Sequence, residues 1–266
     1  MKKGNKLENG ISGGDGIVKD IELWQGDCLE LMKNIPDNSV DMILCDLPYG
    51  TTACKWDTII PFEPLWEQYS RIIKGNGAIV LTASQPFTSA LVMSNVQGFK
   101  HSWVWHKKNA GNMLVAKHQP LKTTEDILVF TKNGERVNYY PILSYGHKDR
   151  SKDKIGKQKS DLYGKIKGGE FKHGNNKPSD ARYPKHIIEI SNANRIGKVH
   201  PTQKPVPLFE YLIKTYTNDG ETVLDNCMGS GTTGVACRNL NRKFIGIELD
   251  ETYFNLAKER IESVGK

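Results

Sequence analysis

Residues 222–248 read TVLDNCMGSGTTGVACRNLNRKFIGIE, and the order of residue types in this stretch decides the fold. Thr222-Val223-Leu224-Asp225 predicts a short strand, Asn226 to Gly231 a loop, Thr232 to Leu240 a helix, and Phe244-Ile245-Gly246-Ile247-Glu248 a second strand. Gly229-Ser230-Gly231-Thr232-Thr233-Gly234 satisfies GxGxxG between a strand and a helix, and Glu248 follows Gly229 by nineteen residues. Glycines let the backbone approach a ligand closely, and an acidic side chain ending the next strand can accept hydrogen bonds from ribose hydroxyls. The stretch therefore predicts a nucleoside-containing cofactor. No GK[ST] follows the glycines, which argues against a phosphate-gripping loop.

On both sides of this stretch, strands alternate with helices. Downstream, Asp250 is placed to cap a final helix reaching Val264; upstream, a helix is expected from about Leu208 to Tyr216, after Pro205 and Pro207. Near the N-terminus, Ile21, Leu23 and Trp24 form an apolar run that ends at Gly26-Asp27, and Leu29, Leu31, Met32 and Ile35 recur at helical spacing. Val40 to Cys45 is β-rich and stops at Asp46-Leu47-Pro48-Tyr49-Gly50, where Pro and Gly break regular structure. A helix over Pro64–Lys74 stopped by Gly75, and strands at 78–82, 102–105 and 127–131, complete an α/β pattern with a mainly parallel sheet and helices on both faces. Residues 1–17 hold five glycines and little apolar content, and are expected to be a disordered tail.

The chain of 266 residues, 38% hydrophobic and 25% charged, suits one α/β domain with an insertion rather than a multidomain machine. No apolar run approaches the roughly 20 residues that cross a bilayer, and the N-terminus lacks the apolar segment of a signal peptide, so no membrane partner and a cytoplasmic location are expected. Cys28, Cys45, Cys54, Cys227 and Cys237 contain no CxxC pair, which points to reduced thiols and to no metal site. The net charge of +7 is unevenly placed: residues 132–204 carry 17 Lys+Arg against 7 Asp+Glu, and the rest of the chain is net negative. A clustered basic stretch is the footprint expected for a polyanion partner, although a solvated lysine-rich loop gives the same composition.

Asp46-Leu47-Pro48-Tyr49 places a carboxylate, a backbone carbonyl and an aromatic ring at a strand end. Asp46 can accept from an exocyclic amine; Pro48 disfavours the α conformation at Leu47 and so helps present its carbonyl as a second acceptor; Tyr49 can stack on a base. Two acceptors on one amine would aim its lone pair at an electrophile.

This tetrad resembles the (D/N/S)PP(Y/F/W) motif of DNA amino-methyltransferases, with Leu47 in place of the first Pro. Asp225-Asn226-Cys227-Met228-Gly229-Ser230-Gly231-Thr232-Thr233 resembles their cofactor motif, with Cys227 where an aromatic residue is common, and His200-Pro201-Thr202-Gln203-Lys204-Pro205 resembles the stretch preceding it. The order is similar to the β group of circularly permuted adenine-N6/cytosine-N4 enzymes. The resemblance implies a Rossmann-like, mostly parallel seven-stranded sheet in which 18–131 form a catalytic half, 132–198 a target-recognition insertion and 199–266 an S-adenosylmethionine-binding half. It implies that Asp225, Cys227, Gly229, Gly231 and Thr232 shape the S-adenosylmethionine pocket, that Glu248 binds the ribose, that Asp27 faces the adenine, and that Thr202 and Lys204 sit near the methionine end. Cys227 is read as a packing thiol, since amine methylation needs no covalent intermediate.

Double-stranded DNA is the partner so implied, with phosphates held by some of Lys148, Arg150, Lys152, Lys154, Lys157, Lys159, Lys165 and Lys167, and a base flipped into the pocket. Adenine is favoured over cytosine because the tetrad begins with Asp. A homodimer and a cognate restriction endonuclease are further partners the resemblance leaves open. A nicotinamide-dependent oxidoreductase also fits GxGxxG plus Glu248, but not the tetrad or the location of the charge.

Overall fold

The computed structural model describes residues 21–50, 57–147, 180–192 and 203–265. The predicted strand-loop-helix-strand stretch is present: β7 (Thr222–Asp225) leads through the glycine loop into α5 (Thr232–Asn239) and on to β8 (Lys243–Glu248). Before it come β1 (Ile21–Gln25), α1 (Cys28–Leu31), β2 (Val40–Cys45), α2 (Phe62–Ile72), β3 (Ile73–Ala83), α3 (Phe87–Ser94), β4 (Phe99–His106), β5 (Thr124–Phe130), β6 (Ile187–Glu189) and α4 (Val206–Tyr216); α6 (Glu251–Glu262) follows.

These strands form one sheet in the order β1-β8-β7-β2-β3-β5-β4-β6, mostly parallel, with β5 running against both its neighbours. It has eight strands, one more than the seven the resemblance implied. The extra strand, β6, is three residues inside the stretch read as an irregular insertion, and it exists by pairing with β4, Val104 opposite Ile187. Three residues are too short for a period, so pairing across the sheet decides this element.

Side-chain alternation sorts the strands onto two cores. Met42, Leu44, Ala78 and Val80 face Leu208, Leu212, Phe254 and Ile261 of α4 and α6, while Ile43, Cys45, Ile79 and Leu81 face Leu65, Tyr69, Phe87 and Leu91 of α2 and α3. Helices therefore cover both faces, as the near-continuous apolar runs require.

One boundary differs from the expectation. The helix expected to run to Lys74 ends at Ile72, and β3 begins at once, so Gly75 lies within a strand. Two residues on, Gly77 passes close to β2: a Cβ there would stand 2.8 Å from the Asp41 carbonyl oxygen. These glycines serve strand packing, not helix termination.

Parallel pairing of β2 with β7, Met42 opposite Val223 and Ile43 opposite Leu224, joins the two halves of the chain at the centre of the sheet. Asp41 reinforces the join, accepting from the Thr222 amide at 3.0 Å while pairing with Lys74 at 2.6 Å. Both strands consequently end at the same edge, where Asp46 and Asp225 emerge. The described residues 141–147 and 180–185 belong to a second unit, in which Ser144 and Arg182 bridge and Asp180 accepts from the Gly146 amide at 2.8 Å. No helix among the described residues is long and apolar enough to cross a membrane.

Candidate active site

The glycine loop is shaped by two left-handed residues, Gly229 at φ +49° and Gly231 at φ +77°. A Cβ on Gly231 would lie 3.0 Å from the Ala257 Cβ and 3.1 Å from its Cα, so only glycine lets the loop sit on α6. Arg260 of α6 fixes the same loop, donating to the Ser230 carbonyl at 2.8 Å. Glu248 latches it to the end of β8: Oε2 accepts from the Gly229 amide and Oε1 from the Asp250 amide, both at 2.9 Å. Burial raises the Glu248 carboxyl above its usual range, and these amides partly counter the rise. At the end of the adjacent β1, Asp27 caps α1, accepting from the Leu29 amide at 2.8 Å.

Asp225 is buried, accepting from the Thr233 hydroxyl and, at 3.1 Å, from the Cys227 amide. Burial pushes its carboxyl from 3.8 up to about 7 despite those donors. The folded state then keeps a proton that the unfolded chain has lost, so the contribution of Asp225 to stability falls as pH rises from about 4 to about 7. Thermal midpoints of the wild type and Asp225→Asn at pH 5 and pH 8 check this: the wild type is expected to lose several degrees relative to the variant at the higher pH. Parallel profiles would refute it.

Three cysteines distant in sequence meet behind the loop. The Cys227 thiol is hydrogen-bonded to Cys28 and Cys45; the first contact lowers its pKa, but the second, together with burial, raises it well above normal. Cys45 is pushed up to about 12, chiefly by burial. Protonated, linked thiols are poor nucleophiles, in keeping with a packing role for Cys227. Among the described residues no group of three or more His, Cys, Asp or Glu is arranged to hold a metal.

Next to this loop stands the tetrad. Leu47 is buried in the core that α2 and α3 cover, and Tyr49 stacks on Phe87, with ring centroids 5.1 Å apart and planes at 24°. The Tyr49 hydroxyl is 2.7 Å from Asp46 Oδ1, to which Thr82 also donates. Lys204 completes the set, its ammonium 2.9 and 2.8 Å from the two Asp46 oxygens and 3.4 Å from Glu125 Oε2, while Lys107 holds Glu125 Oε1 at 2.9 Å. Burial alone would lower the Lys204 pKa, but the Asp46 and Glu125 carboxylates outweigh it and hold it above the ordinary lysine value. Asp46, Lys204, Glu125 and Lys107 thus form a chain of alternating charge in which both lysines are buried and both carboxylates half-buried, and a lysine taken out of water in this way is tolerated only when it is paired.

One cleft of about 930 Å³ runs past all of these groups. Its wall includes Asp46, Leu47, Pro48 and Tyr49 together with Asp27, Lys204, Asp225, Cys227, Gly229, Thr232 and Glu248. Gly231 packs against α6 instead. Thr202 and the eight basic residues expected to hold phosphate, Lys148 to Lys167, lie outside the described residues. Thr82, Lys107 and Glu125 were not singled out from sequence, because no motif spacing connects them; the only hint is charge flanking the apolar ends of β4 and β5. The volume suits a nucleoside-sized ligand, and a side chain at Gly229 would meet nothing within 4 Å, leaving room against the backbone. Two carboxylates at adjacent strand ends, Asp27 and Glu248, line this cleft.

Type II methyltransferase M.HpaI of Haemophilus parainfluenzae is 29% identical over 92% of this chain and 75% of its own. Type II methyltransferase M2.DpnII of Streptococcus pneumoniae is 27% identical over 91% of this chain and 89% of its own. A crystal structure of the M1.HpyAVI–SAM complex superposes with a TM-score of 0.62 at 28% identity, covering 91% of this chain and 98% of that one. The cytosine-N4-specific PvuII DNA methyltransferase shares the fold, with a TM-score of 0.64 at 16% identity over 94% of this chain and 89% of that one. The family model described as DNA methylase, N6_N4_Mtase, matches residues 40–259, the span holding both the Asp46 tetrad and the Gly229 loop, and the chain belongs to that family.

Proposed function

We propose that the protein is a site-specific DNA methyltransferase of the type II restriction-modification kind, transferring a methyl group from S-adenosylmethionine to the exocyclic N6 of adenine in duplex DNA. The observation that carries this reading is one cleft lined by both Asp46 and Glu248, an amine acceptor after β2 and a ribose acceptor at the end of β8, on either side of β7 at the same edge of the sheet. When bound, S-adenosylmethionine supplies an electrophilic methyl on its sulfonium. Glu248 and Asp27 would hold the nucleoside part, and Lys204, fixed by Asp46 and Glu125 in the wall of the same cleft, would offer its positive charge to the cofactor carboxylate. Asp46 and the Leu47 carbonyl each take one N–H of the target amine, which fixes its lone pair for in-line attack. As the new N–C bond forms and the S–C bond breaks, the nitrogen becomes cationic beside Asp46, then loses one proton to water.

The target amine is paired inside the duplex, so the base flips into the cleft, at a cost of a few kcal/mol. Residues 132–198 are assigned to target recognition, their lysines and arginines neutralising phosphates. A homodimer and a cognate endonuclease are partners this reading leaves open, and the cytoplasm is the expected location.

Incubation with tritiated S-adenosylmethionine and a mixed-sequence duplex, followed by nucleoside analysis, tests the reading. Label on N6-methyldeoxyadenosine is the expected result. Label on N4-methyldeoxycytidine would overturn the adenine assignment, and no label in any DNA would overturn the function. Calorimetry with S-adenosylhomocysteine and with NAD separates this reading from a nicotinamide enzyme: only the first is expected to bind.

A further inference from the structure

The seventeen residues 107–123 that join β4 to β5 carry four lysines and no acidic residue, and lie outside every motif discussed above. They leave and return at the catalytic edge of the sheet. His106 pairs with Thr124, Asp126 with Ala83, and Leu81 with Cys45, the residue just before the tetrad. The loop is built, not slack: Lys107 donates its amide to the Thr123 carbonyl at 2.8 Å and Gly111 to Lys122 at 2.9 Å. Asn112, left-handed at φ 53°, accepts from the Lys122 amide at 2.8 Å through its side chain. The Lys107 and Lys122 side chains anchor its base, on Glu125 in the cleft and on Ser84 after β3.

What this framework holds outward is apolar. Its tip is a single 3-10 turn, Met113–Val115, in which Leu114 is 100% and Met113 64% exposed, and the chain returns past Leu121 at 40%. Exposed aliphatic side chains on a braced loop are a liability in water unless a partner covers them. Lys108 and Lys117 flank the tip and are exposed, so the partner that fits is a polyanion with an apolar interior. The stacked bases of a duplex inside their phosphate backbones have that composition, and Leu and Met are among the side chains that wedge between base steps.

We propose that the β4–β5 loop is a wedge that enters the duplex at the target base pair, Leu114 filling the space the flipped base leaves while Lys108 and Lys117 grip the flanking phosphates. The proposal rests on the base-flipping reading above and assigns it an agent. Occupation of the vacated space stabilises the open duplex, so the wedge acts on base opening and not on the chemistry in the cleft.

The test compares wild type, Leu114→Gly and Leu114→Met on duplexes carrying the methylation site, with the target adenine either paired with thymine or facing an abasic position. On the paired duplex Leu114→Gly is expected to lower the single-turnover rate about ten- to hundredfold, the factor corresponding to burial of one leucine side chain. On the abasic duplex, where pairing no longer resists opening, it should run close to the wild-type rate, and Leu114→Met should be near wild type on both. Thermal midpoint and S-adenosylhomocysteine affinity should not change, because Leu114 is fully exposed. Equal rates for wild type and Leu114→Gly on the paired duplex, equal losses on both duplexes, or a loss accompanied by conversion of a dimer to monomers would each overturn the wedge; the last would make the tip a contact between copies. Fluorescence of 2-aminopurine at the target position reads opening without methyl transfer. A wild type that opens the base but labels no DNA overturns the methylation reading, whereas a Leu114→Gly variant that opens it equally well overturns the wedge.

Discussion

Asp46→Asn is expected to reduce single-turnover methyl transfer by about 10²–10³-fold, the usual cost of removing one preorganised group from a transition state, with little change in S-adenosylhomocysteine affinity. In the folded protein the Asp46 carboxylate is oriented from three sides, by Lys204, Thr82 and the Tyr49 hydroxyl. Asparagine has nearly the same shape but half the acceptor capacity, and its NH₂ would face the Lys204 ammonium, so the amide is expected to turn its oxygen to Lys204 and leave the target amine one acceptor short. The Tyr49–Phe87 stack and the apolar contacts of Leu47 stay in place, which makes this variant more informative than Asp46→Ala, where Lys204 would lose its main counter-charge in a buried position. Tritium transfer and calorimetry on the same preparation decide the matter. A variant with more than about half the wild-type rate would remove Asp46 from amine binding, since such an effect is below a fraction of 1 kcal/mol; a variant that no longer binds S-adenosylhomocysteine would reassign Asp46 to the cofactor.

Glu248→Ala is expected to act the other way, weakening S-adenosylhomocysteine by about a hundredfold or more, as loss of two hydrogen bonds to a charged group implies. Its two oxygens organise the Gly229 and Asp250 amides, so alanine would remove the acceptors assigned to the ribose in the proposal above and release the loop together. Glu248→Gln should fall between wild type and alanine, because one oxygen remains to accept. With saturating cofactor, the Glu248→Ala rate should recover toward wild type, whereas Asp46→Asn should not recover at any concentration. If alanine at 248 leaves cofactor affinity within about threefold of wild type, below 1 kcal/mol, the carboxylate serves loop packing alone.

The elements the sequence announces are those whose cause is local. A left-handed requirement can only be met cheaply by glycine, so Gly229 and Gly231 mark the loop; Asp250 caps α6, accepting from the Tyr253 amide at 3.0 Å. Where the cause is a distant neighbour the same signals mislead: Gly75 reads as a helix stop and is a strand residue, and β6 carries no period because pairing with β4 creates it. The loop tip at Leu114 is similarly hidden, since a basic count taken along the chain draws attention to 132–204 and passes over four lysines in 107–123.

By itself, then, the sequence determined the strand-loop-helix units, the glycine loop and the acidic residue that ends the next strand, a tetrad of carboxylate, carbonyl and aromatic ring at a strand end, and the order in which they follow one another. These are set by backbone sterics and by side-chain chemistry within a few residues. Only the tertiary structure decided that the tetrad and the glycine loop open into one cleft, because parallel pairing of β2 with β7 brings together segments about 180 residues apart. It also decided what Lys204 does in the folded chain. From sequence it is a cation near a cofactor; in the fold it is clamped between Asp46, 158 positions away, and Glu125, because a charge taken out of water must find its opposite wherever the chain supplies one.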